Sequence, residues 1–180
     1  VNDAPVIDAI TDQVIDEDSS LTLTLTASDV DGDVLTFTAT SDNAETNIDG
    51  NTLTVTPGDD FNGTVLVDVF AADGSDDYDW TTFTLTVNPV NDAPALSALA
   101  TGTVAEDTDF VITLSADDID GDDLTYFAQV DGNGSVAVDG STLTVTPATD
   151  YNGDITVTVS ASDGSLAGTD SFTLSVTPVN

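Results

Sequence analysis

Apolar residues alternate with threonine and other polar residues along most of this chain. The runs Leu21-Thr-Leu-Thr-Leu25 and Phe83-Thr-Leu-Thr-Val87 each place their apolar side chains on one face of an extended segment. A period of two predicts β-strands with one buried face, whereas a helix needs a period near 3.6, which no segment shows. Threonine suits the other face because it is β-branched and uncharged. The pattern therefore predicts an all-β protein.

The order of these segments is repeated once along the chain. Asn2-Asp-Ala-Pro5 recurs 89 residues later as Asn91-Asp-Ala-Pro94, and Thr52-Leu-Thr-Val-Thr-Pro57 recurs 90 residues later from Thr142. A one-residue insertion before Thr142 accounts for the difference. Repetition at such a period indicates tandem domains, which we assign to residues 1–90 and 91–180. Because the chain begins and ends at nearly the same phase of the repeat, we expect it to be part of a longer array.

Each copy has seven candidate strands, and this number of short strands fits an immunoglobulin-like Greek-key β-sandwich. In the first copy they are A (6–15), B (20–27), C (34–40), D (45–48), E (52–56), F (64–71) and G (80–88). The predicted architecture is two such sandwiches joined end to end. We expect Trp80 to cap the core at the start of strand G. Phe61 and Tyr151 are expected to pack at the corner before strand F, with a corner tyrosine as the alternative for Tyr151.

The charge of the chain is of one sign only. It has 34 acidic residues and no Lys, Arg or His, so the formal net charge is −34. Since no salt bridge to a basic side chain can form, clustered acids must spread apart, protonate or bind external cations. Two carboxylates about 4 Å apart repel by roughly 4 kcal/mol at an effective dielectric constant near 20. The alternative is that the acids serve solvation, as in a halophilic or marine protein.

The composition also argues against several classes of function. Nucleic-acid binding needs Lys and Arg, and so does binding to anionic membrane surfaces. No run approaches the ~20 apolar residues of a membrane span, so we expect no membrane insertion. There is no Cys and hence no disulfide framework. We see no signal peptide, so any export signal is expected outside this sequence.

Greek-key topology sorts the acidic motifs to the two ends of each sandwich. The chain start, the B–C loop and the F–G loop share one end, which we call the top. The A–B loop, the E–F loop and the end of strand G share the other, the bottom. The candidate metal ligands at the top of the first copy are Asn2, Asp3, Asp29, Asp31, Asp33 and Asp73. We expect these to form a half-site toward a preceding repeat.

If the second copy follows below the first, the linker becomes a joint where acids of both copies meet. The candidate ligands of this joint are Asp16, Glu17, Asp60, Asn91, Asp92, Asp118, Asp120, Asp122 and Asp163. A half-site toward a following repeat would comprise Glu106, Asp107, Asp150 and Asn180. Ca²⁺ is the expected ion because it takes six to eight oxygen ligands in tolerant geometry, and Mg²⁺ is second choice. The lack of His and Cys argues against zinc.

The Asp-rich loops have two other interpretations. Asp-x-Asp-Gly-Asp resembles the start of an EF-hand loop, but the sixth position would be Val34 or Asp123 and the twelfth Thr40 or Gln129. Glycine and glutamate are needed there, so we reject an EF-hand. The simpler interpretation is that each Asp-Gly is only a turn. It explains single motifs but not five motifs at matched phase.

These motifs resemble the cadherin-like tandem repeats of large bacterial surface adhesins and other secreted multidomain proteins. Val90-Asn-Asp-Ala-Pro94 is similar to the cadherin linker that ends in Asn-Asp-Asn-(Ala)-Pro, and Glu17 and Glu106 sit where the family places its first glutamate. The segments that resemble its Ala-x-Asp-x-Asp and Ala-x-Asp-Gly motifs begin at Ala27, Ala116, Ala71 and Ala161. The resemblance implies calcium between successive domains and a rigid rod. The chain departs from the family at Ala93 and lacks the family's Leu-Asp-Arg-Glu segment. These departures imply that its joint holds fewer than the three ions of a full cadherin joint.

The leading hypothesis for function is a calcium-stiffened spacer in the stalk or fibre of an extracellular, bacterial surface adhesin. Its partners would be adjacent repeats of the same chain and like chains in a fibre. The alternative is an adhesion module that binds a surface glycan or protein. We expect no enzymatic activity, because the acids recur at the repeat period and no His, Cys, Lys or Arg is available.

Overall fold

The computed structural model of the protein describes residues 2–75 and 77–179. The chain divides into two compact units, Val1–Val90 and Asn91–Asn180. Every regular element in the described part of the chain is a β-strand. Accordingly, no helix with the length and apolar character of a membrane span occurs there. Asn180, one of the predicted ligands, lies outside the described residues.

The first unit contains nine strands. They are β1 (Val6–Ile7), β2 (Gln13–Asp16), β3 (Leu21–Thr24), β4 (Ala27–Ser28), β5 (Thr36–Ser41), β6 (Ala44–Asp49), β7 (Thr52–Pro57), β8 (Gly63–Ala72) and β9 (Tyr78–Asn88). A four-stranded sheet has the order β2-β9-β8-β5, a three-stranded sheet has the order β3-β7-β6, and β1 pairs with β4. β2 runs parallel to β9, and the other pairs are antiparallel.

The second unit repeats this arrangement strand for strand. Its strands are β10 (Ala95–Leu96), β11 (Gly102–Ala105), β12 (Phe110–Thr113), β13 (Ala116–Asp117), β14 (Thr125–Val130), β15 (Gly134–Asp139), β16 (Thr142–Pro147), β17 (Gly153–Ser162) and β18 (Ala167–Thr177). The sheets are β11-β18-β17-β14, β12-β16-β15 and β10-β13. The prediction of two tandem all-β, immunoglobulin-like sandwiches is thus confirmed.

The predicted strands A and B are each divided in two. In the first unit, the A segment begins as β1 beside β4 and continues as β2 beside β9, so it passes from one sheet to the other. The Asp12 carboxylate bridges the crossing by accepting the N–H of Thr84 on β9 at 2.8 Å. A side chain here replaces the strand neighbour that the backbone of Thr84 would otherwise need.

The cores are built by the alternation read from the sequence. Leu53 and Val55 on β7 pack with the inward residues of β8 and β9, and all are fully or almost fully buried. In the second unit Leu143 and Val145 take the equivalent places on β16. Tyr151 packs against this second core and donates its hydroxyl to the carbonyl of Asp154 at 2.9 Å. Because that bond runs downstream within the same turn, Tyr151 is a packed corner and not a corner tyrosine.

Trp80 does not cap the core. The side chain is 56% exposed and lies on the outer face of β9. The inward residues of this strand include Phe83 and Val87, which have odd numbers, so alternation points the even-numbered Trp80 away from them. Its ring stacks instead on that of Phe70 across the β8–β9 pair.

Candidate metal centres

The predicted ligands at the top of the first unit lie together. They come from the segment before β1, the β4–β5 loop and the β8–β9 loop, which antiparallel pairing brings to one end of the sandwich. Asp29, Asp33 and Asp73 each offer one carboxylate oxygen, and these oxygens lie within 4.8 Å of one another. The first unit therefore has a cluster of three carboxylates at its top.

The β4–β5 loop is shaped by the carboxylate of Asp29. Its Oδ1 accepts the backbone N–H of Asp31 at 2.8 Å and that of Asp33 at 3.2 Å. Gly32 has a φ of +79°, a left-handed conformation that glycine adopts without steric cost. The loop thus folds around one oxygen of Asp29 and leaves the other for a different partner.

The chain start is tied to the same cluster. The Asn2 side chain donates to Asp73 Oδ2 at 2.8 Å and to Ser75 Oγ at 3.0 Å. The N–H of Asp3 donates to Asp31 Oδ2 at 2.8 Å. The Asn-Asp motif therefore positions itself on the aspartates of both loops.

The second unit makes the same bonds with the linker in place of the chain start. Asn91 donates to Asp163 Oδ2 at 2.7 Å, and the N–H of Asp92 donates to Asp120 Oδ2 at 2.8 Å. The N–H of Asp122 donates to Asp118 Oδ1 at 3.2 Å, as the N–H of Asp33 does to Asp29 in the first unit. Six predicted ligands of the joint are therefore linked in three pairs at the top of the second unit. The pairs are Asn91 with Asp163, Asp92 with Asp120, and Asp122 with Asp118.

Hydrogen bonds favour the ionised form of two of these carboxyl groups. The Ser75 hydroxyl and the Asn2 amide lower the pKa of Asp73 below its ordinary value. The Asn91 amide and the backbone N–H of Leu166 lower the pKa of Asp163 in the same way. Both carboxylates accept these bonds in the charged form, which is the form that binds a cation.

One oxygen in each unit stands out. Asp29 Oδ2 and Asp118 Oδ2 are buried and have no hydrogen-bond partner within residues 2–75 and 77–179. Buried polar atoms are nearly always paired, so each unpaired one needs an explanation such as an ion. Asp29 lies in one cluster with the carboxylates of Asp33 and Asp73, and carboxylates are hard oxygen ligands suited to Ca²⁺. The residues present therefore fit calcium.

The bottom of each unit is held by aspartates in an unusual conformation. Asp18, Asp60, Asp107 and Asp150 have φ between 55° and 60°, and they are the non-glycine residues with positive φ among those described. The N–H of Asp60 donates to Asp18 Oδ1, and that of Asp150 donates to Asp107 Oδ1, both at 3.1 Å. Left-handed backbone is tolerated by Asp but costs other residues about 1–2 kcal/mol. Backbone outliers of this kind concentrate at functional sites.

Glu17 and Asp16 also lie at the bottom of the first unit but differ in surroundings. Glu17 is the one buried charged residue of the described chain, at 6% exposure, and its carboxylate accepts the backbone N–H of Val90 and the Asn62 side chain. Glu106 makes the equivalent bond to the N–H of Val179 at 2.8 Å. Asp16 is exposed, and its Oδ1 accepts the side chain of Asn88 at 3.2 Å.

Asp18 was not among the predicted ligands. A signal for it was present in the sequence, because Asp18 lies 89 residues before Asp107, which was predicted. Within the units, the structure groups Asp29, Asp33 and Asp73 at the top of the first and links Asp60 to Asp18 and Asp150 to Asp107 at the bottoms. That the bottom of the first unit and the top of the second share ions stays a prediction.

Two family models match the chain, one on each repeat. Residues 2–88 match the bacterial Ig domain, and residues 90–177 match the cadherin-like domain. None of the curated proteins compared with the chain is a match.

Solved structures of cadherins share the fold. Human protocadherin-24 EC1-2 (form II) is 17% identical, with 99% of this chain and 100% of that chain covered and a TM-score of 0.59. Drosophila N-cadherin EC1-4 is 15% identical, with coverages of 98% and 50% and a TM-score of 0.56. The chain also spans 29% of the length of endo-fucoidan hydrolase MfFcnA4 from glycoside hydrolase family 107, at 21% identity, 98% coverage of this chain and a TM-score of 0.42. The chain is therefore a tandem pair of domains, of which the first matches the bacterial Ig domain and the second the cadherin-like domain.

Proposed function

We propose that the two repeats form a calcium-binding spacer in the stalk or fibre of an extracellular adhesin, and that calcium stiffens the chain. Bacterial Ig and cadherin-like domains are typical of extracellular structural or adhesion proteins. The observation that carries the proposal is the unpaired, buried oxygen of Asp29 and of Asp118. In a chain without any basic residue, a cation from solution is the partner these oxygens lack.

At the top of each repeat, the loop aspartates would hold the ion. In the first repeat these are Asp29, Asp33 and Asp73, whose oxygens already lie within 4.8 Å. The ion would supply positive charge among carboxylates that otherwise repel one another. Asn2 and Asp3 would position the loops through the bonds that they make to Asp73 and Asp31.

We further propose that the joint between the repeats is a shared calcium site. Glu17 already holds the linker backbone at Val90, and Asn91 and Asp92 hold the loops of the second repeat. The linker thus connects bottom ligands to top ligands within a few residues. The full proposed set is Asp16, Glu17, Asp60, Asn91, Asp92, Asp118, Asp120, Asp122 and Asp163, with Asp18 added.

Calcium outside the cell would decide the state of the chain. Extracellular modules bind calcium with dissociation constants of about 10⁻⁴–10⁻³ M, so such sites are filled outside and empty inside a cell. Binding to the folded state alone raises its stability by mass action. Before export the carboxylates would repel one another. After export bound calcium would hold the repeats in line.

The test is a calcium titration of the 180-residue chain followed by small-angle scattering and thermal melting. We expect millimolar Ca²⁺ to raise the melting temperature and to narrow the distribution of end-to-end distances. Mg²⁺ at the same concentration should do less, and NaCl at matched ionic strength should do least. If NaCl reproduces the calcium effect, the acids serve solvation. If the length and melting temperature are the same in calcium and in chelator, the spacer proposal fails.

A further inference from the structure

The outer face of the first repeat carries an aromatic patch that the sandwich core does not need. Its rings are Phe70 on β8 and Tyr78 and Trp80 on β9. The ring centroids of Phe70 and Trp80 are 6.5 Å apart with an interplanar angle of 30°, and those of Phe70 and Tyr78 are 6.2 Å apart at 58°. Tyr78 is 60% exposed and Trp80 56% exposed. The rings therefore form one continuous strip open to solvent.

The second repeat has the same fold without this patch. The places equivalent to Phe70, Tyr78 and Trp80 are held by Ser160 on β17 and by Ala167 and Thr169 on β18. Its outer face instead carries Phe127 alone, on β14 opposite Ser160. Because the second repeat folds without the three rings, packing does not account for them. Exposed apolar surface on a monomer, particularly Tyr and Trp, commonly marks an interaction site.

The charge around the patch restricts the partner. Asp68 lies on the same face of β8, two residues before Phe70, and its Oδ1 accepts the hydroxyl of Thr82 on β9. The chain has no basic side chain to oppose it, and the net charge is −34. Anionic glycans, anionic lipids and a second copy of this chain would all be repelled over a Debye length of about 8 Å. A cationic partner would be attracted.

Ring faces are themselves negative, so they add to this preference. Cations bind over the face of Trp best, and arginine does so more often than lysine. A planar guanidinium stacks on a ring and also donates paired hydrogen bonds to a carboxylate. Trp80 with Phe70 offers the ring surface, and Asp68 offers a carboxylate beside it. The sequence of this chain contains no arginine that could occupy the site itself.

We propose that this patch is a docking surface for an arginine-bearing segment of another protein. One guanidinium stacks on Trp80, and Asp68 lies within the same face to pair with it. The site belongs to the first repeat, and the outer face of the second repeat lacks it. It is independent of the proposed calcium sites, which lie at the ends of the sandwich.

The experiment uses the 180-residue chain in saturating calcium and about 0.15 M salt. The probe is a short Gly/Arg peptide, and its control has Gln in place of each Arg. Trp80 is the single tryptophan of the chain, so its fluorescence reports directly on occupancy of the patch, and calorimetry gives the affinity of the variants. We expect the Arg peptide to change the emission of Trp80 and the Gln peptide to leave it unchanged.

Variants separate the patch from general attraction to an acidic protein. Trp80→Ala should weaken binding of the Arg peptide about five- to tenfold, and Asp68→Asn, which keeps an acceptor for Thr82, should weaken it severalfold. Phe127→Ala is the matched control, because Phe127 is also 56% exposed, and it should bind as the parent does. Amide chemical-shift changes of the parent should map to β8 and β9.

Three outcomes overturn the proposal. Equal affinity of the parent and Trp80→Ala means that the peptide binds through diffuse charge. Shifts that map to the second repeat place the contact elsewhere. A neutral oligosaccharide that changes Trp80 emission when the Arg peptide does not would make the patch a glycan site.

Discussion

The carboxylate of Glu17 accepts the backbone N–H of Val90, a residue 73 positions downstream in the linker. Glu106 makes the same bond to Val179, again across 73 positions. The third glutamate, Glu45, lies exposed on β6 and has no such role. Glutamate thus occurs where a carboxylate must reach from the loop after the A segment to the backbone that follows strand G. This contact ties the backbone after strand G to the loop after the A segment in each sandwich.

Removing the Glu17 carboxylate should destabilise the first repeat. Glu17→Ala leaves the N–H of Val90 without its acceptor, and we expect the free energy of unfolding to fall by about 1–3 kcal/mol. Urea unfolding in chelator measures this without a contribution from metal. Glu45→Ala removes the same charge from an exposed site and should change stability by no more than about 0.5 kcal/mol. Equal effects of the two variants would show that charge alone matters.

Replacing the aspartates that bear the unpaired oxygens should weaken calcium binding without harming the fold. Asp29→Asn and Asp118→Asn keep an acceptor at Oδ1 for the loop N–H groups but lose a negative charge, and calcium affinity depends on ligand charge. We expect an affinity loss on the order of tenfold by calorimetry, with melting in chelator unchanged or higher. Asp139→Asn, at the exposed end of β15, is the control and should bind calcium normally. A parental affinity in both variants would contradict the assignment.

Glycine and alanine at position 150 should separate backbone strain from ligation. Asp150 has a φ of 58°, which glycine adopts freely and alanine does not. In chelator, Asp150→Gly should therefore be more stable than Asp150→Ala by about 1 kcal/mol. Both variants remove the carboxylate, so whatever calcium affinity Asp150 contributes should be lost equally in both. Thermal melting and calorimetry measure the two effects, and equal stability would mean that the left-handed conformation is not retained.

The carboxyl of Asp131 should titrate below its ordinary value. Its Oδ2 accepts the backbone N–H of Thr156 at 2.9 Å, and this bond lowers the pKa of Asp131 from 3.8. A pKa depressed by folding contributes stability above pH 3.8, and the contribution is lost as the pH falls through the folded-state value. NMR titration in chelator should place the folded pKa below 3.8. Asp131→Asn should abolish this part of the acid dependence, and a pKa at or above 3.8 would contradict the bond.

Much of the fold could be predicted from the sequence because alternation and repetition are properties of neighbouring positions along the chain. The strands around Leu53 and Phe83 follow from their apolar faces, and the second unit follows from the first by an offset of 89 or 90 residues. Alternation also predicts the outward position of Trp80, because Phe83 and Val87 on the inner face have odd numbers and Trp80 has an even one. The split of the A segment could not be predicted from the sequence. It depends on the hydrogen bond from the N–H of Thr84 to the Asp12 carboxylate, and these two residues are 72 positions apart along the chain.

The sequence by itself determined that this is a repeated all-β chain whose acids have no basic partners. It also predicted that the loop containing Asp29 and the loop containing Asp73 share one end of the first sandwich. The tertiary structure alone decided which atoms meet. It placed the N–H of Asp60 on Asp18, left one oxygen of Asp29 buried without a partner, and joined Phe70 and Trp80 into an exposed strip. The reason is physical: period and composition are set by neighbours along the chain. Hydrogen bonds and ring contacts between distant segments depend on strand register, loop conformation and the reach of each side chain.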